Sequence, residues 1–481
     1  MSVDNLTAVA IGAIGIYNLL QALLRLTQDA REPRLIENIV PYLSPIFGMR
    51  QRGFGFYKYL RDKHKLPIYT LRLPGSRMYI VNDTSLIPVI QRQTKIISIS
   101  PIMVRVFSHF MGVSKQALEI RLQTIEGINP GPNLDDLVTR AVGYLDRSLS
   151  ATIVKNPLLK VDLFEWVSQE IMLATTNAIY GVRNPFKNRE VQAAYKVYEA
   201  SLATLMTGLL PAVMVKQSLE ARSIIVEAFV KYYDEGGVID ESSSVYAKNR
   251  HNYPSELGIP LRDIATMETG GSIGLISNTM PATSWTIYHI FSDTDLLREC
   301  RRELKGGVTE KDGQRYVDIS YVKGSCPLLL ATMQEVFRFH SIGMSARAVV
   351  EDHVLGGKFQ LKKGATLLIP SNVQHSSSEA WGPDYNLTAF RAFGGGANLC
   401  PGRHFATTEI LAFASIVLLR FDMAPTGGRW STMGYKETNA ALRLPNRDVT
   451  VELVPRDIRE CHIVLSAPDP PRESTKRTNV L

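Results

Sequence analysis

Four cysteines occur in the 481-residue chain, at positions 300, 326, 400 and 461. None belongs to a C-x-x-C pair, and no Cys/His spacing matches a zinc site. Cys400 alone sits in a segment built for chemistry. From Phe393 the sequence reads FGGGANLCPGRHFATTEILAFASIVLLRF. Three glycines precede the cysteine, Pro401-Gly402 follow it, and Ala406, Ile410, Leu411, Ile416 and Leu418 continue as a largely apolar helical pattern. A glycine-rich loop lets backbone approach a flat ligand closely, and proline suits the first turn of a helix. Cys400 is therefore predicted at a helix N-terminus, where the dipole and free N–H groups favour a thiolate. For a lone cysteine, a buried structural thiol would be the simpler account.

Two further segments carry polar groups at telling places. LLLATMQEVFRFH holds Glu335-x-x-Arg338, and at i,i+3 on a helix both side chains project from one face and can pair. GSIGLISNTMPATSWTIYHIF, Gly271 to Phe291, is an apolar helical run carrying Asn278, Thr279 and an interior Pro281, which kinks a helix and frees a carbonyl.

Phe393-x-x-Gly396-x-x-x-Cys400-x-Gly402-x-x-x-Ala406 resembles the haem-binding signature of the cytochrome P450 family at five fixed positions. Glu335 and Arg338 lie where that family has the Glu-x-x-Arg pair of its K helix, 62 residues from Arg338 to the cysteine. Asn278-Thr279 resembles the acid–threonine pair of the helix that crosses above the haem, with Asn in place of the acid. NTMPATxW is similar to the branch containing cholesterol 7α-hydroxylase and prostacyclin synthase, and the CPGRHFA and AFRAFGGG spellings are similar to fungal members of it.

The resemblance implies a haem-thiolate monooxygenase with haem b as cofactor. Cys400 would be the axial iron ligand, and Phe393, Gly396, Asn398, Gly402, Ala406 and Arg347 would form the haem site, Arg347 reaching a propionate. Thr279 with Asn278 would assist proton delivery, and Glu335 with Arg338 would form a buried structural lock. Electrons would come from NADPH through a separate FAD/FMN enzyme, NADPH–cytochrome P450 reductase, to activate O2 against a lipophilic terpenoid, steroid or alkaloid in secondary metabolism. A redox-neutral haem-thiolate isomerase or dehydratase is the alternative, and a degenerate haem-binding membrane protein a third reading. Two departures stand out. The family usually has Arg or His where Asn398 stands. Only ten residues, 385–394, follow Trp381-Gly382-Pro383-Asp384 before Gly395, where the family has a longer meander containing an Arg that joins the Glu–Arg pair. Arg391 lies too close to the cysteine loop to be equated with it.

The elements that position these residues are expected to form a mainly α fold with small β-sheets. Leu6 to Leu24 holds no charge and is long enough for a transmembrane helix; Arg25, Arg31 and Arg34 after it would keep the body cytoplasmic, at the endoplasmic reticulum membrane. This divides the chain into an anchor (1–26), a Pro-punctuated hinge (27–48), one catalytic domain (49–466) and a polar, disordered tail (467–481). Strands are expected at Ile68–Leu73, Met78–Val81, Val349–Val354 and Ala365–Ile369, with a closing hairpin of Ala441–Leu444 and Val449–Val454. Helices are expected at Asp136–Leu149, Glu190–Leu210 and Ser218–Tyr233. By position in the family it resembles, the substrate pocket would draw on 95–115, Leu202–Val215, Ile276–Thr279, Ile342–Ala346 and Asn439–Ala441. The net charge of +8 is scattered, which disfavours nucleic acid and suits an anionic membrane or an acidic partner.

Overall fold

Periodicity of three to four apolar residues dominates the middle of the chain, and helices follow it. The computed structural model describes residues 3–36, 40–114, 117–118, 128–155, 158–207, 212–381, 386–436, 441–456 and 461–464. Helices Pro132–Lys155, Leu163–Tyr180, Thr279–Ser292, Pro327–His340 and Arg403–Arg420 assemble around one apolar core. Their starts carry ordinary signals: Pro327 opens one helix, and the Asp293 carboxylate caps another by accepting from the amides of Asp295 and Leu296 at 3.0 Å. The expected helix over 190–210 is instead two, Arg189–Ala200 and Leu202–Thr207.

The expected single run over 271–291 also divides, into Leu261–Ile276 and Thr279–Ser292. Pro281 has no N–H to donate to the carbonyl of Ser277, so the ladder fails at the residues just before Thr279.

A five-stranded sheet runs in the order Ile68–Leu73, Ser76–Val81, Thr366–Pro370, Met344–Val349, Ile97–Ser98. Thr366–Pro370 lies parallel to Ser76–Val81, and the other pairings are antiparallel. The strand expected at Val349–Val354 is corrected: Met344–Val349 ends where it was to begin, and His353–Leu355 belongs to a separate hairpin with Phe359–Leu361, while Arg347 lies in the five-stranded sheet opposite Leu367. The closing hairpin is corrected: Thr450–Pro455 pairs with Phe421–Pro425 and Leu159–Asp162, while Leu444–Pro445 pairs with Tyr435–Lys436. The last described strand, Cys461–Val464, joins Gln314–Asp318 in parallel. Long-range pairing overrode the local turn signal. The tail expected at 467–481 lies outside the described residues.

The N-terminal run is a helix, Val3–Leu26. Among the described residues, however, no helix is long and apolar enough to cross a membrane. Tyr17, Asn18 and Gln21 interrupt its apolar run. The described side chains of Ile11, Ile14, Ile16, Leu19 and Leu26 are exposed.

Candidate functional site

The cysteine loop is a short hairpin. Gly394 and Gly395 pair with Leu399 and Asn398, and the chain reverses at Gly396, whose φ of 64° is a conformation glycine adopts without strain. The Cys400 amide donates to the Phe393 carbonyl at 2.8 Å, so the hairpin fixes where the sulfur stands. The Phe393 ring packs 4.8 Å from that of Phe337 on helix Pro327–His340. The helix after the loop begins at Arg403 with Gly402 as its cap, and the Ala406 amide donates to the Gly402 carbonyl at 2.9 Å. Pro401 therefore precedes the helix rather than opening it.

Cys400 is partly buried, and that burial pushes the thiol up from its ordinary value. Hydrogen bonds from the backbone amides of Gly402 and Arg403, together with the Arg403 charge, oppose the rise. The helix N-terminus helps the thiolate as expected, but burial outweighs it for the free thiol, so ionisation calls for a cation at the sulfur.

Beside this loop lies a cavity of about 220 Å³, lined among others by Ile99, Met344, Ser345, Arg391, Asn398 and Ala441. Parts of three segments expected to form the substrate pocket meet there: Ile99, 343–345 and Ala441. Leu202–Val215 and Ile276–Thr279 do not line it; residues 208–211 and 439–440 lie outside the described set.

Two arginines reach this region, and both are almost wholly buried: Arg347 is 1% exposed and Arg391 4%. The Asn398 amide, turned so that its oxygen faces the guanidinium, accepts from Arg347 Nη1 at 3.0 Å and Nη2 at 3.2 Å; the Gln91 amide, turned likewise, accepts from Arg391 Nη1 at 2.8 Å and the Gly396 amide at 3.2 Å. Among the described residues, the Nε of Arg347 and the Nε and Nη2 of Arg391 have no partner. Neither guanidinium meets a carboxylate among the described residues. Burial lowers the pKa of both, and for Arg391 the Arg347 charge adds to burial and brings it down to about 10. Both stay charged at neutral pH. As read from the sequence, Arg391 lies too close to the loop to be the meander arginine and has no role of its own. Its signal was a single charge between the aromatic residues Phe390 and Phe393, because a lone arginine in such a stretch is seldom buried without a partner.

The Glu335–Arg338 pair forms as spaced. Arg338 Nε donates to Glu335 Oε1 at 2.8 Å and Nη2 to Oε2 at 2.7 Å. Arg338 also donates to the His375 carbonyl at 2.8 Å and lies over the Trp381 ring at 5.5 Å. The expectation of a buried lock is corrected: the Arg338 side chain is 27% exposed and that of Glu335 60%. No long connection follows Trp381 to cover the carboxylate. Arg391 does not substitute for the missing meander arginine; its amide donates to His375 Nε2 at 2.7 Å while its side chain turns to Gln91.

Thr279 is buried, and its Oγ1 makes a long 3.4 Å contact with the Leu275 carbonyl. Gly271, Leu275 and Asn278 are partly exposed and Gly274 is exposed, while Ser272, Ile273, Ile276, Ser277 and Thr279 beside them are buried.

A protein-family model described as Cytochrome P450 matches residues 273–448. Over 444 residues the chain is 33% identical to cytochrome P450 monooxygenase nodJ of Hypoxylon pulicicidum, covering 84% of this chain and 86% of that protein. It is 25% identical over 438 residues to a cytochrome P450 monooxygenase of Gibberella zeae, covering 84% of each. A more distant likeness, 25% over 182 residues, is to the cholesterol 7-alpha-monooxygenase of Cricetulus griseus, covering 31% of this chain and 36% of that protein. With a thiol held on a preformed hairpin and a relative of this identity over most of its length, the chain belongs to the cytochrome P450 family.

Proposed function

We propose that this monooxygenase oxidises a lipophilic secondary metabolite of the terpenoid, steroid or alkaloid class, with Cys400 as the thiolate ligand of its haem iron. The observation that carries the site assignment is the hairpin itself, which presents one sulfur with the Gly402 and Arg403 amides donating toward it. Members of this family carry haem iron, and the residues present suit it. The unpartnered Nε of buried Arg347, next to the loop, is what a haem propionate would satisfy, with Asn398 holding that guanidinium in place.

Haem, when bound, supplies oxygen activation with electrons from a redox partner, here an NADPH-dependent flavoprotein reductase. The protein supplies the rest. Cys400 Sγ would hold the haem iron as a charge-donating thiolate, with the Gly402 and Arg403 amides tempering its charge. Thr279 Oγ1, loosely engaged with the Leu275 carbonyl, is free to hold and pass a proton. Asn278 replaces an acid and has no titratable proton, so it orients water rather than supplying a proton. The apolar core around helix Thr279–Ser292 excludes bulk water from that route.

We further propose that helix Val3–Leu26 holds the enzyme at the endoplasmic reticulum membrane with the catalytic body on the cytoplasmic side. Its exposed apolar side chains and Arg25 support this. Removing residues 1–26 is expected to release the protein from membranes without loss of the haem spectrum; continued sedimentation with membranes would refute the anchor.

The function is tested by incubating the haem-loaded protein with reductase, NADPH and a panel of lipophilic metabolites. Oxygenated product that requires NADPH is expected. Turnover of a peroxide substrate without reductase would overturn the monooxygenase reading in favour of an isomerase.

A further inference from the structure

Resting on the haem reading above, we infer that Arg391 is a second propionate-binding guanidinium, taking over the role that the cysteine loop gives up by carrying Asn398. A buried arginine keeps its charge and must find an anion or several hydrogen-bond acceptors. Among the described residues Arg391 has neither in full: Gln91 engages Nη1 alone, and Nε and Nη2 are left unpartnered. It borders the same cavity as Asn398, and Arg347, itself held by Asn398, is close enough to depress it. Two buried like charges without a carboxylate are unfavourable unless the site is completed by a ligand of opposite charge. Haem b carries two propionates, one for each guanidinium.

The loop sequence fits this assignment. A Cβ on Gly395 would lie 2.3 Å from Arg391 Nη1, and one on Gly396 would lie 2.9 Å from the Gln91 side chain. Part of the glycine run therefore makes room for Arg391 and its positioning residue Gln91.

The test compares full-length wild-type protein with Arg391→Gln, each freed of haem and titrated with haemin or with haemin dimethyl ester, whose propionates are uncharged. Haem absorption reports binding, and thermal melting of the haem-free proteins reports folding. Arg391→Gln is expected to weaken haemin binding on the order of tenfold, as for loss of a charge-assisted pair, while leaving binding of the ester within about twofold of wild type. Arg391→Lys should retain part of the preference for haemin. The haem-free Arg391→Gln protein should melt no lower than wild type, because an uncompensated buried charge has been removed. Equal weakening for haemin and its ester, or no weakening, would overturn the role of Arg391 while leaving the haem reading intact. A wild-type chain that binds neither form would overturn the haem reading and this inference with it.

Discussion

Two arginine sites flank the cysteine loop, and they are opposites. Arg338 has a carboxylate partner in bidentate geometry, yet the pair is half in solvent. Arg347 and Arg391 are almost fully buried, yet among the described residues neither has a carboxylate. Charge pairing and burial usually accompany each other, because burying an unpaired charge is strongly unfavourable. Where pairing occurs without burial, water screens the interaction and its worth is small. Where burial occurs without pairing, the fold has accepted a cost that something else must offset. The first site is left open to solvent, and the second is where we propose that the propionates bind.

The comparison breaks most sharply at Arg347. Arg347→Met is expected to weaken haemin binding by about 3 kcal/mol, the upper range for a charged hydrogen bond, while the haem-free protein keeps or gains stability. Haem titration and melting of the haem-free protein check the two halves; a loss of stability without a loss of haem affinity would make Arg347 merely structural.

Glu409 offers a third solution to a buried charge and sharpens the contrast. It is 1% exposed, accepts from Thr175 Oγ1 at 2.8 and 2.9 Å, and is pushed up to about 8 by burial. A carboxyl can protonate where a guanidinium cannot. Because the folded protein holds this proton more tightly than the unfolded chain does, the contribution of Glu409 to stability is complete below the ordinary carboxylate range. It is lost as pH rises through about 8. Glu409→Gln should therefore stabilise by several kcal/mol at pH 8 and change little at pH 4. Melting curves that shift equally at both pH values would contradict this.

The exposed pair gives the smallest effects. Arg338→Ala loses the His375 carbonyl and the Trp381 ring as well as Glu335, and is expected to cost about 1–2 kcal/mol. Glu335→Gln leaves those contacts in place and should cost about 0.5 kcal/mol. Chemical denaturation of the two variants checks the ordering, and a larger loss for Glu335→Gln would mean that the pair is covered in solution.

Much of this was legible in the chain. The Cys400 loop, the Glu335–Arg338 spacing and the strands near 68–81 are local patterns, and local patterns survive folding. What escaped depends on distant partners. Thr450–Pro455 finds Phe421–Pro425 and Leu159–Asp162, and nothing within its own stretch names either. The exposure of Glu335 depends on a covering segment rather than on its helix. Arg391 was visible as an odd residue among aromatics, but its meaning needed Gln91, from a helix some 300 positions earlier, and Arg347, from a sheet.

The hairpin from Gly394 to Leu399 has a further consequence for assembly of the enzyme. It is closed by its own backbone pairing and by the bond from the Cys400 amide to Phe393. Ordering a residue costs about 1–2 kcal/mol of conformational entropy, and for these residues that cost is met during folding of the polypeptide. Cofactor loading then becomes docking onto a prepared surface rather than coupled folding and binding. Its rate should follow the collision frequency and the opening of the surrounding helices, not a search by the loop for its own shape.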